Sequence, residues 1–133
     1  MQRWLPLAGV SYIWMRDLGG RRPPVAGSQH VALRHHSFRA YADYMETPTF
    51  LTAATDLVTL AAEPPTAVMC SESVWWRCHR RLLADYLMLV RGCTVLHLLH
   101  NGRLSPHVPT QGVRRTDNAL IYDVGSSMSR PLD

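Results

Sequence analysis

TAVMCSESVWWRCHRRLLADYLMLVRGCTVLHLL, residues 66–99, is the stretch on which the fold turns. Short apolar runs lie at its two ends, TAVMC (66–70) and CTVLHLL (93–99). Between them Leu82, Leu83, Tyr86, Leu87 and Val90 recur at helical spacing, which predicts a helix from near Cys78 to Arg91 with Gly92 as its stop. Prolines precede the first run and polar residues follow it, as expected of a central buried strand. Strand, helix and strand in this order make a right-handed crossover between parallel strands.

Working outward, VSYIWM (10–15) is β-branched and aromatic and predicts a further buried strand. Residues 2–9 read as the end of a helix stopping at Gly9, and LGGRRPPVAGS (18–28) as a loop. SFRAYADYM (37–45) places Phe38, Tyr41 and Met45 on one helical face. In the next helix Thr47 is the cap and Pro48 the first residue, with Phe50, Ala54, Leu57, Val58 and Ala61 as the apolar stripe and Pro64 and Pro65 as its end. ALIYDV (119–124) reads as an edge strand. The expectation is one α/β domain over residues 1–124, three-layered, with a mostly parallel sheet and flanking helices. Residues 125–133 are expected to form a frayed tail.

Composition narrows the classes. With 133 residues, 47% of them apolar and 18% charged, the chain buries a core and is not a disordered polymer. It has no apolar run of about 18 residues, and its N-terminal apolar stretch is too short for a signal peptide. A cytoplasmic protein with no membrane partner follows as the expectation. Cys70, Cys78 and Cys93 make an odd count without a secreted pattern, which argues for reduced thiols. The net charge is +4, and all fourteen basic residues are arginine. Guanidinium forks suit phosphate, but the scarcity of Asn and Ile alongside absent Lys favours GC-rich coding as the cause. Charge alone therefore does not establish a nucleic-acid partner.

Four blocks carry a resemblance: LGGRR (18–22), FRAYADYM (38–45), AVMCSESVWWRCHR (67–80) and TVLHLLHNGRLSPH (94–107). In this order and spacing they resemble the domain-of-unknown-function 488 family, over roughly residues 5–107. The family's third block, a Cys-Ser-Glu turn followed by Cys-His-Arg, corresponds to Cys70, Ser71, Glu72 and Cys78, His79, Arg80. Its fourth block carries His97 within the strand and His107 after a glycine turn. The resemblance implies a strand–helix–strand unit ahead of residue 1, so the domain is expected to be N-terminally truncated, with a sheet edge uncovered. It implies no activity.

The chemistry concentrates at Cys70–Arg80. A strand end leading into a helix N-terminus gathers backbone N–H groups and the helix dipole at one place, which suits an anion and favours a thiolate. On one reading Cys70 is a nucleophile, Glu72 or His79 moves protons, and Arg80 binds an anionic ligand, with Cys78, His107, Arg22 and Gly20 as further contacts. Cysteine phosphatases and sulfurtransferases share this layout, although their loops are shorter and glycine-rich. On a second reading Cys70, Cys78 and His79, with His97 or His107, bind a metal. Adjacent Cys78 and His79 on a helix would point about 100° apart, and C-x7-C-H is not a usual ligand spacing, so no metal and no cofactor are expected. On a third the cysteines pack, His79 caps, and Arg80 pairs with Glu72 or Asp85.

The remaining features read more plainly. Trp75 and Trp76 pack over the sheet edge, or against the missing N-terminal unit, rather than stack on a base, His35 and His36 lie on a solvated face, and His97 is a satisfied core histidine. His107 has the better access to the site. The function expected is an enzyme handling a small anionic or nucleotide ligand at the Cys70–Arg80 loop. The alternatives are a nucleic-acid-binding or accessory interaction module using the Arg-rich loops and Trp75–Trp76, and an inactive truncated form.

Overall fold

A computed structural model describes residues 8–62, 65–70 and 74–125. Among the described residues there are three helices: α1 (His36–Tyr44), α2 (Pro48–Ala61) and α3 (Arg80–Leu89). Two hairpins follow, β1 (Leu96–Leu98) with β2 (Leu104–Pro106) and β3 (Val113–Thr116) with β4 (Ala119–Tyr122). Single 3-10 turns lie at Arg16–Leu18 and Trp75–Arg77. None of the described helices is long and apolar enough to cross a membrane.

The helices form where local chemistry favours them. Thr47 caps α2 by accepting the Phe50 N–H at 3.2 Å, and Pro48 occupies the first turn, where its missing donor is harmless. The core is built from the inner faces of the helices and β4. Tyr41 of α1, Phe50 of α2, Leu82 of α3 and Tyr122 of β4 are all fully enclosed. Phe50 meets the Tyr41 and Tyr86 rings edge-on at 6.0 and 5.2 Å, an arrangement that matches ring edges to ring faces. The Tyr41 hydroxyl donates to Leu18 O at 2.8 Å and fastens the 3-10 turn to α1.

The class is mixed α/β, but the parallel three-layer sheet is not what the described residues form. Both of their strand pairs are antiparallel and local in sequence. Residues 10–15 and 66–70 belong to no strand, and Ile13, Trp14, Val68 and Met69 are exposed rather than buried. A central parallel strand needs partners along both edges and cover on both faces. A hairpin needs only a short loop and the following segment. The run at 93–99 is likewise reduced to three residues, with Leu96 and Leu98 outward and His97 inward, the reverse of an apolar-in strand.

The weakly patterned region after residue 100 forms hairpins because its turns are well specified. Gly102, with φ of +84°, closes the first, where a side chain would be strained. Asp117, with φ of +47°, opens the second turn, a left-handed position that Asp tolerates. The expected edge strand at 119–124 is β4, but it is paired with β3 in a hairpin rather than standing at a parallel-sheet edge. The tail beyond Gly125 and the helix end at 2–7 lie outside the described residues.

Candidate functional site

The segment leading into α3 turns sharply. Trp75–Arg77 form a 3-10 turn, Cys78 is extended with φ −139° and ψ 175°, and His79 takes helical angles as the N-cap. This break brings Cys78 back beside Cys70, with their sulfurs 3.5 Å apart. Arg80 donates to the Cys78 sulfur twice, through its backbone N–H at 3.4 Å and its Nε at 3.2 Å. Burial pushes the Cys78 thiol up, and these Arg80 hydrogen bonds offset only part of that rise.

The free helix N–H groups expected to hold an anion are already engaged. Arg80 N donates to Cys78 Sγ, Arg81 N to the Cys78 carbonyl, and Leu82 N and Leu83 N to the His79 carbonyl. Sulfur, rather than an open anion pocket, therefore occupies the helix start. The guanidinium of Arg80 stands against that sulfur, with its charge also beside Cys70.

His79 lies between the sulfurs and the core. Its ring packs on Tyr41 at 5.1 Å, and a β-carbon at residue 20 would strike its Nδ1, so Gly20 serves close approach to His79. Burial first, then the charges of Arg80 and Arg22, lowers the basicity of His79 and keeps the imidazole neutral. Arg22, expected to touch a ligand, clasps the first 3-10 turn instead. It donates to Gly19 O at 3.1 Å and Arg16 O at 2.8 Å and lies over the Tyr44 ring. Glu72 lies outside the described residues.

His107, expected to have the better access to the Cys70–Arg80 site, is buried. Its Nε2 meets Asp85 Oδ1 at 2.7 Å and its Nδ1 meets His97 Nε2 at 2.8 Å. Asp85, fully buried on α3, also accepts from Thr110 N at 3.0 Å and from the Tyr122 hydroxyl at 2.9 Å. These partners determine the tautomers. An acceptor-only carboxylate takes Nε2–H of His107, so His107 Nδ1 accepts Nε2–H of His97, and the lone pair of the series falls on His97 Nδ1.

The indole of Trp75 stacks on His97 at 3.8 Å with an interplanar angle of 3°, so this Trp covers the network rather than the sheet edge. Burial, then the His107 and Arg80 charges, lowers the His97 pKa to about 4, so the ring is neutral near pH 7. Burial and Asp85 raise the Tyr122 phenol well above its ordinary value, which keeps it a donor.

The network was missed from sequence, apart from its two histidines. One signal for it exists: Asp85 stands three residues after Leu82 and one before Tyr86, an acid on the apolar stripe of a helix. An acid placed there is buried and needs partners. Trp76, by contrast, is exposed and meets Trp75 edge-on at 5.8 Å.

The family model described as Domain of unknown function DUF488 matches residues 1–87. The Cys70–Arg80 segment and Asp85 fall within the match, whereas His97, His107 and Tyr122 lie beyond it. Neither the curated proteins nor the solved structures contain a match to the chain.

Proposed function

The chain belongs to the DUF488 family, whose description carries no activity, and from its geometry we propose an enzyme that handles a small anionic ligand, nucleotides included, by sulfur-centred chemistry at Cys70–Arg80. The observation carrying this reading is the pair of Arg80 hydrogen bonds to Cys78 Sγ, with Cys70 Sγ 3.5 Å away. Cys70 is the reacting sulfur, since it is half-buried where Cys78 is enclosed. Arg80 places a positive charge beside both sulfurs, which draws in an anion.

Competitive alkylation tests this. Iodoacetate and iodoacetamide differ mainly in charge, so a cationic thiol site prefers iodoacetate more than an ordinary thiol does. With metal chelated, Cys70 is expected to show an iodoacetate-to-iodoacetamide rate ratio several times that of Cys93, and Arg80→Gln to bring it down to the Cys93 value. Equal ratios at the two cysteines of the wild-type protein would remove the reading.

A further inference from the structure

Cys70, Cys78 and His79 each present one donor atom, and the three atoms lie within 4.8 Å of one another. We infer that these residues form a binding site for a borderline-soft divalent metal of the zinc class. Two thiolates and an imidazole are the donors such an ion selects over carboxylate or carbonyl oxygen. Zn–S bonds of about 2.3 Å in a tetrahedron set two sulfurs about 3.8 Å apart. The sulfurs here stand at 3.5 Å, so coordination requires a shift of only a few tenths of an ångström.

The expectation of no metal rested on adjacent Cys78 and His79 diverging along a helix. That premise fails. Cys78 is extended and only His79 is helical, so the backbone reverses between them and lets both side chains reach one point. The surroundings fit a ligand role as well. Tyr41 and Gly20 hold the imidazole in place, and no ring hydrogen bond of His79 is present among the described residues. The Arg80 N–H groups donate to Cys78 Sγ as outer hydrogen bonds do to a metal thiolate.

Charge points the same way. Two thiolates at this separation repel, and Arg80 offers one positive charge against two negative ones. A divalent ion balances both and displaces the two thiol protons to solvent. The inference rests on the sulfur-centred reading and deepens it, because a coordinated thiol is held as thiolate.

Cobalt(II) titration of the full chain under reducing conditions tests it. About one equivalent is expected to bind, with thiolate-to-cobalt charge-transfer absorption and the intense d–d bands of a tetrahedral ion, bleached when zinc is added. Cys70→Ser, Cys78→Ser and His79→Ala are each expected to weaken cobalt binding at least tenfold, and Cys93→Ser to leave it unchanged.

Cys70 is half-buried outside any helix or strand, so Cys70→Ser, checked by circular dichroism, keeps the test informative if Cys78→Ser does not fold. Absence of cobalt absorption in natively folded, reduced protein overturns the inference, as does absorption that survives Cys70→Ser. Because the alkylation ratio is measured with metal chelated, an iodoacetate preference without cobalt binding sinks the metal site alone. Cobalt binding without that preference sinks the anion-handling reading and leaves the metal site standing.

Discussion

His30, Asp43 and Glu46 form a group of ligand-type side chains as tight as Cys70, Cys78 and His79, and the two groups differ in what their histidines have left to offer. His30 is fully buried and both ring nitrogens are engaged. Its Nδ1 accepts the Tyr122 N–H at 3.2 Å, so its proton sits on Nε2 and points at Glu46 Oε2, 2.7 Å away. Coordination through Nε2 would require removing that proton while Nδ1 stays an acceptor, which leaves an imidazolate. The group is instead a latch tying residues 28–32 to α1 and β4, completed by Ser28 on Asp43 and by Ala32 N on Tyr122 O. Among the described residues His79 has no such backbone donor on its ring. The same residue type is a fastener in one place and a ligand in the other, according to what holds the second nitrogen.

The largest expected effect tests how far buried polar partners, rather than the sulfur cluster, hold the fold. Asp85→Ala removes the acceptor shared by His107, Thr110 and Tyr122 in a fully buried setting, and is expected to cost about 3–5 kcal/mol in urea unfolding. His30→Ala should cost about 2–4 kcal/mol, because Tyr122 N–H and the Asp43–Glu46 side of the latch lose their partner. His79→Ala should cost less than either; an equal loss would make His79 a fastener too.

Gly20→Ala sharpens the contrast from the packing side. A β-carbon there collides with His79 Nδ1, so about 1–3 kcal/mol of stability and the cobalt absorption should be lost together. Unchanged cobalt binding in this variant would mean that His79 does not sit as described.

The pH dependence is smaller. His97 titrates near 4 when folded against 6.5 ordinarily, so between these values the unfolded chain binds the proton that the folded chain refuses. Stability from this group is complete above about pH 6.5 and is lost as pH falls toward 4. His97→Gln should flatten that part of the urea-midpoint profile, and the stacked Trp75 gives a fluorescence readout of the same step. Cys93→Ser sets the floor, with a stability change within about 0.5 kcal/mol.

The helices were legible because their signals are local. Thr47–Pro48, the stripe from Phe50 to Leu57 and the run from Leu82 to Tyr86 each specify a turn or a face within a few residues, and all three helices appear within two residues of their expected starts. The strands were not. Apolar runs at 10–15 and 66–70 show only a preference for extended backbone, and extended backbone becomes a sheet when a distant partner supplies the other half of the ladder. At the site, composition and position pointed to the segment Cys70–Arg80, and in the structure Cys70, Cys78, His79 and Arg80 stand together. The direction of each side chain, and the engagement of the helix N–H groups, depended on a backbone reversal at Cys78 that no periodicity announces.

By itself, then, the sequence determined the three described helices, the Thr47 cap and the concentration of Cys, His and Arg before α3, because these depend on neighbours one turn away. Only the tertiary structure decided that His107 is buried, that His97 faces inward between two exposed leucines, and that Asp85 anchors both. The reason is physical. A buried polar group is stable only when its partners are in place, and the partners of Asp85 come from segments 22 to 37 residues away, brought together by the hairpins and not by local chain geometry.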